Sequence, residues 1–162
     1  MVCEKVVITV KVFTDAELYE LLVDRDAENP WKRFDSLNGI KYFDSDNIFP
    51  YLSKEDEKHI YFCLMHKNKI VGMIKLKVGG TESLFHTGWK NWICFVSILP
   101  EYQGKGISRK LIQAMFKYAK EKNLNILSSG YSSEGFLKIR KVLREESKNY
   151  SVDFLDTDRT IE

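Results

Sequence analysis

Apolar and polar positions along the chain change period several times, and each change marks an element. Val6 to Phe13 alternates as a strand does, one side chain to each face in turn. Thr14-Asp15-Ala16-Glu17 then reads as a capping box, and the helix it opens carries Leu18, Leu21, Leu22 and Val23 inward until Asn29-Pro30 stops it. Residues 31–58 scatter Trp31, Phe34, Tyr42, Phe43, Phe49, Tyr51 and Leu52 among Asp, Ser and Asn, the pattern of short helical turns and loops whose aromatics pack on a sheet. From His59 to Gly80 a hairpin is predicted: Ile60 to Met65, a turn over His66 to Lys69, and a return strand from Ile70 to Val78. The return strand sets Ile74, Leu76 and Val78 on one face and Lys75 and Lys77 on the other. Gly72 inside it signals a bulge or a close backbone approach.

After a glycine-bearing loop, Trp92 to Leu99 forms a nearly unbroken apolar run, expected as a strand buried on both faces and ended by Pro100. Ile107, Leu111, Ile112, Met115, Phe116 and Ala119 then recur at helical spacing to about Lys122. Asn125 to Tyr131 reads as a further strand, Ser133 to about Glu146 as a helix with Phe136, Leu137, Ile139, Val142 and Leu143 inward, and Tyr150 to Leu155 as a last short strand. Strands and helices alternating in this order argue for one mixed α/β sheet with helices on its faces.

Composition adds bounds. The chain has 162 residues, 44% of them apolar, which suits one core and a single domain over residues 1–162. Net charge is +2, so nothing in it calls for a nucleic-acid or membrane partner. No stretch of about 18 apolar residues occurs, and the start, MVCEKVVITVKVF, has an early acidic residue and no small-residue cleavage site; the expected location is cytoplasmic. Cys3, Cys63 and Cys94 are odd in number and widely spaced, and are read as reduced core residues. His59, His66 and His86 lack ligand spacing, so no metal site is expected, and His66, in a turn, is expected in solvent.

The chemistry gathers at Gln103-Gly104-Lys105-Gly106, between the apolar strand and the amphipathic helix. N–H groups in a helix's first turn have no intrahelical acceptors, and with the macrodipole they attract anions. Gly104 and Gly106 let a phosphate approach the backbone, and Lys105, Arg109 and Lys110 add positive charge. The same spacing also suits a plain strand-to-helix turn. Two familiar phosphate loops fail: a Walker loop needs glycine where Leu99 stands, and the third glycine of the dinucleotide fingerprint would be Arg109.

The stretch Pro100-Glu101-Tyr102-Gln103-Gly104-Lys105-Gly106-Ile107-Ser108 resembles the acyl-CoA loop of GNAT-type N-acetyltransferases, Gln/Arg-x-x-Gly-x-Gly/Ala after a strand and a proline. Gln103 and Gly106 match, and Ser108 stands where the family usually has glycine or alanine. The element order is also that of the GNAT fold, a central mixed sheet flanked by helices, so the resemblance covers nearly the whole chain. It implies acetyl-CoA as co-substrate and no metal, with the pantetheine arm beside Val96, Ser97 and Ile98 and the pyrophosphate on the amides of Gln103, Gly104, Lys105, Gly106, Ile107 and Ser108, near Arg109. It further implies that Phe34, Tyr42 or Tyr51 shapes an acceptor pocket.

Where the family often places a glutamate on the central strand and a tyrosine early in the last helix, this chain departs: Trp89 to Leu99 holds no carboxylate, and Ser133 to Arg144 no tyrosine. Tyr131, about one turn before the usual position, is the candidate general acid, with Glu134 and Glu82 as other nearby groups. Two functions follow: transfer of an acetyl group to a primary amine of a small molecule or peptide within a ternary complex, or a non-catalytic CoA or phospholigand sensor on the same fold. The residues do not choose an acceptor, and a monomer or homodimer suits either function.

Overall fold

A computed structural model of the chain describes residues 7–22, 58–67, 69–79, 88–104, 106–128, 131–156 and 160–161. The elements in order are β1 (Thr9–Thr14), α1 (Asp15–Leu22), β2 (Lys58–His66), β3 (Lys69–Val78), β4 (Trp92–Ile98), α2 (Ile107–Lys122), β5 (Ile126–Ser128), β6 (Tyr131–Ser132), α3 (Ser133–Asn149), β7 (Phe154–Leu155) and β8 (Thr160–Ile161). A single 3-10 turn, Pro100–Tyr102, separates β4 from the loop before α2. The expected aromatics Phe34, Tyr42 and Tyr51, with Lys105, Glu82, His86 and Cys3, lie outside the described residues.

Six strands form one sheet in the order β1-β2-β3-β4-β5-β7, and β6 pairs with β8 apart from it. Antiparallel pairing joins β1 through β4, and β5 and β7 add in parallel, so the sheet is mixed as the element order requires. The β6–β8 pair, Tyr131 with Thr160 and Ser132 with Ile161, had no signal in the sequence pattern because two-residue strands carry no period.

Each face of the sheet has its own core. Leu111, Ile112, Met115, Phe116 and Ala119 of α2, the positions read from helical spacing, are fully buried against Phe62, Leu64, Ile74, Leu76 and Ile93. Leu143 of α3 joins them. On the opposite face Leu18 of α1 packs on Tyr61, Cys63, Met65, Ile70 and Met73. The capping box forms as expected: the Glu17 N–H donates to Thr14 Oγ1 and the Thr14 N–H to Glu17 Oε1, each at 3.2 Å.

Three expectations change on folding. Lys75, placed on a polar face by alternation, is buried at 3% exposure with its Nζ 5.9 Å from the centre of the Tyr61 ring, because β3 is an interior strand and its register sets Lys75 beside Tyr61 under the α1 face. Cys94, expected in the core, is exposed: the β3–β4 register shifts between Lys75 and Leu76, so Phe95 and Ile93 find partners and Cys94 falls in the bulge between them. His66 is half-buried, and its Nδ1 lies 2.5 Å from the Tyr102 hydroxyl. Cys63 is in the core as read, and burial pushes its thiol pKa up.

Gly72 answers to both readings of its position. The β2–β3 register shifts between Leu64 and Met65, opposite it, and a Cβ at Gly72 would stand 2.8 Å from Leu64 Cδ1 and 3.2 Å from Ile98 Cγ1.

Candidate functional site

The site is made where two strands part. Among the described residues β4 and β5 pair at Trp92 with Leu127 and Ile93 with Ser128, after which β4 runs on to Ile98 without a described strand on that side. The base of this fork is pinned by Asn91. Its Oδ1 accepts from the Gly79 N–H at 2.9 Å, its Nδ2 donates to Asn125 O at 3.0 Å, and its carbonyl accepts from the Leu127 N–H at 2.9 Å. The Asn125 Nδ2 in turn donates to Gly88 O at 3.1 Å. Sequence reading missed Asn91; its only signal was a polar residue held directly before an apolar run.

Backbone alternation decides what the open edge of β4 offers. The Leu99 N–H donates to Val71 O of β3 at 2.9 Å, so Leu99 and Ser97 turn their polar groups toward β3, and Val96 and Ile98 turn theirs toward the gap. The Ile98 carbonyl confirms the direction, since Gln103 Nε2 reaches across to donate to it at 2.8 Å. Both the Val96 and Ile98 side chains lie on the α2 face, Ile98 within that core and Val96 packed against it, so only their main chain borders the gap.

Past Pro100, the Tyr102 N–H donates to Leu99 O at 2.9 Å and the Gln103 N–H to Pro100 O at 3.2 Å. Gln103 was read as a ligand contact; here its amide and its side chain are both engaged in holding the loop to the end of β4. Gly104 and Gly106 take positive φ, 75° and 72°, and a Cβ at either would meet nothing within 4 Å. Gly106 is the N-cap of α2 and supplies no side-chain cap, and the first turn of α2 holds no acidic residue. The N–H groups of Ile107, Ser108 and Arg109 thus begin a helix with open space before it.

Two of the charges expected to help at this helix end, Arg109 and Lys110, are turned elsewhere. Arg109 Nη2 lies 2.6 Å from Glu145 Oε2 and its Nη1 2.7 Å from Glu146 Oε1, tying α2 to α3. Lys110 Nζ donates to Ile8 O. The Arg109 side chain is thus committed to α3, against its expected contact with a ligand, and only its main-chain N–H stands at the helix start. Desolvation raises the Glu146 carboxyl pKa, but hydrogen bonds from Arg109, Asn149 and Gln113 outweigh it and hold the group below its ordinary value. Tyr131 opens β6 directly before α3 and pairs with Thr160 of β8, apart from the six-stranded sheet. Among the described residues no group of three or more His, Cys, Asp or Glu is arranged to hold a metal ion.

An acyl-CoA asks for main-chain groups along an extended arm and uncapped amides for a diphosphate. The open edge at Val96 and Ile98, the two unfilled glycine positions and the uncapped first turn of α2 fit that description.

The family model described as acetyltransferase (GNAT) family matches residues 15–137, and the chain belongs to that family. It is accordingly an acetyltransferase by membership. No curated protein sequence matches it. Among solved structures, an aminoglycoside acetyltransferase from an uncultured soil metagenomic sample, in complex with sisomicin, superposes with a TM-score of 0.51 at 19% identity, covering 86% of each chain. An aminoglycoside N-acetyltransferase in complex with CoA superposes with a TM-score of 0.52 at 12% identity, over 94% of this chain and 92% of that one. At those identities the likeness is one of fold. No helix among the described residues is long and apolar enough to cross a membrane.

Proposed function

We propose that this acetyltransferase moves the acetyl group of acetyl-CoA to a primary amine of a small molecule or peptide, directly within a ternary complex. The observation that carries the reading is the pairing of a main-chain edge with a helix start: the Val96 and Ile98 N–H groups face the gap left by β5, and that gap leads to Gly104, Gly106 and the uncapped amides of Ile107, Ser108 and Arg109.

Each group has a task in that chemistry. Gly104 and Gly106 admit the diphosphate, and the first turn of α2 supplies N–H donors with the positive end of its dipole. Val96 and Ile98 hold the arm extended along β4; Ser97, which the resemblance also implies as a contact, has its main chain turned to β3 and takes no part. The Val96 N–H is aimed where negative charge grows on the thioester carbonyl oxygen, a fixed donor that needs no reorganisation. The new C–N bond forms as the C–S bond breaks; the ammonium proton leaves through water, and Tyr131 is the candidate donor to the departing thiolate. The CoA bound to one of those two neighbours and the sisomicin bound to the other support an acyl-CoA donor and an amine acceptor.

A second reading, a CoA-binding sensor without turnover, is favoured by one observation: β4, Trp92–Ile98, carries no carboxylate to take the amine's proton. Calorimetric titration of acetyl-CoA, desulfo-CoA and ATP against the wild type and Gly106→Trp tests the site. Micromolar acetyl-CoA binding that is lost in Gly106→Trp supports it, and no binding of any CoA species to the wild type overturns it. Thiol release on adding amines then separates the enzyme from the sensor. Acetyl label retained on the protein after incubation with acetyl-CoA alone would overturn direct transfer.

A further inference from the structure

Tyr102 closes the 3-10 turn Pro100–Tyr102 shortly before Gly104, and its hydroxyl lies 2.5 Å from Nδ1 of His66, the last residue of β2. The two rings meet edge to face with centres 5.5 Å apart, and both side chains are half-buried. This bond spans 36 positions of sequence, whereas the bonds from Tyr102 and Gln103 to Leu99, Pro100 and Ile98 span no more than 5. Local bonds thus shape the turn, while Leu99 N–H to Val71 O and the Tyr102 hydroxyl to His66 fasten it to β3 and β2. Beyond the turn, Gly104 and Gly106 have positive φ and space where a Cβ would stand, so packing at the glycines does not fix the path of the loop. That path is set from its ends, by α2 on one side and by the fastened turn on the other.

Resting on the reading of this loop as the cradle of the donor's diphosphate, we propose that His66 is a positioning residue for the donor. Through the Tyr102 hydroxyl it holds the turn before Gly104 to the end of β2, so that the loop amides are in place before the phosphates arrive. His66 acts through Tyr102 and takes no part in bond making. A glycine-bearing segment has much freedom to lose, and fixing one of its ends in advance lowers the cost of ordering it around a ligand. The tie holds in either imidazole tautomer, because a phenol hydroxyl donates to a bare Nδ1 and accepts from a protonated one. The Tyr102 ring packs against the α2-face core, a contact that phenylalanine would keep, so the hydroxyl is the part of the residue that this role requires.

The test uses the full chain as wild type, His66→Ala, His66→Asn, Tyr102→Phe and the double variant His66→Ala with Tyr102→Phe. Thermal melts without ligand establish that each is folded, and acetyl-CoA is then titrated calorimetrically well below the melt, where a merely structural bond would leave affinity unchanged. His66→Ala and Tyr102→Phe should each raise the acetyl-CoA Kd about three- to tenfold, the range of one hydrogen bond. The double variant should be no worse than the weaker-binding single, because one and the same bond is lost in all three. His66→Asn, whose amide offers the Tyr102 hydroxyl a partner near the place of Nδ1, should restore most of the affinity. Should His66→Ala fail to fold, Tyr102→Phe and His66→Asn still decide. The proposal is overturned if folded Tyr102→Phe binds acetyl-CoA as the wild type does, if the two losses add in the double variant, or if His66→Asn binds as weakly as Tyr102→Phe. A wild type that binds no acetyl-CoA overturns the reading of the loop and this proposal with it, whereas unchanged binding in the variants overturns this proposal alone.

Discussion

The Asp15 carboxylate accepts a hydrogen bond from the Tyr61 hydroxyl at 2.9 Å, across 46 positions of sequence. Its other oxygen accepts from the His59 N–H at 3.0 Å, with His59 Nδ1 at 3.5 Å. One side chain in the first turn of α1 thereby fastens that helix to β2 and sets the α1 face of the sheet. Tyr61 is fully buried, and burial, then the Asp15 charge beside it, pushes its phenol pKa far up, so it remains a neutral donor.

Replacing either partner should be unequal in effect. Asp15→Ala takes the acceptor from the buried Tyr61 hydroxyl and removes the bond that Asp15 accepts from the His59 amide, and should destabilise by about 2 to 3 kcal/mol, whereas Tyr61→Phe removes one donor and should cost about 1 kcal/mol. Urea denaturation of both singles and the double variant checks this, with a coupling of at least about 0.5 kcal/mol expected for residues in contact.

Acid should weaken the fold in a defined window. Desolvation raises the Asp15 pKa, but hydrogen bonds from His59 and Tyr61 prevail and hold it below the ordinary 3.8; Glu146 likewise sits below the ordinary 4.5. For carboxylates depressed in the folded state, the unfolded chain takes up protons first as pH falls. Their contribution is therefore whole above the unfolded values, and is lost as pH drops from about 4.5 and 3.8 through the folded values. Urea midpoints from pH 6 to pH 2.5 should fall in that range, and Asp15→Asn and Glu146→Gln should each flatten the fall while starting from a lower midpoint at pH 6.

Gly72→Ala should destabilise. The added methyl meets Leu64 Cδ1 at 2.8 Å and Ile98 Cγ1 at 3.2 Å in a packed core, and overpacking of that kind costs about 1 to 3 kcal/mol, reduced by about 0.4 to 1 kcal/mol because alanine restricts the unfolded chain. A melting temperature equal to wild type would show that Leu64 moves aside freely. Because Ile98 belongs to the open edge, acetyl-CoA affinity should drop along with stability.

Arg109→Ala separates the two roles first considered for that residue. With its guanidinium on Glu145 and Glu146, its loss strands the buried Glu146 carboxylate between α2 and α3, so a fall of several degrees in melting temperature is expected. The effect on acetyl-CoA affinity should be much smaller than that of Gly106→Trp. A large loss of affinity with little loss of stability would return the side chain to the ligand.

Local pattern was enough for much of the molecule. The capping box at Thr14 and Glu17, the apolar stripe of α2 and the β2–β3 hairpin depend on residues within a few positions of each other, and all formed as read. So did the loop motif around Gly104 and Gly106, since backbone geometry near a helix start is a local property. Lys75, Cys94 and His66 were misread for one reason: alternation says which side of a strand a residue takes, but not what covers that side or whether a bulge shifts it.

The sequence alone determined the longer strands and helices, the glycine loop at a helix start and the family resemblance they carry, because each rests on short-range periodicity and spacing. Only the tertiary structure decided that β4 outruns β5, that Arg109 turns to α3 and that Asp15 joins Tyr61. Those are relations between segments 20 to 50 residues apart, and they exist only once burial has chosen which surfaces meet.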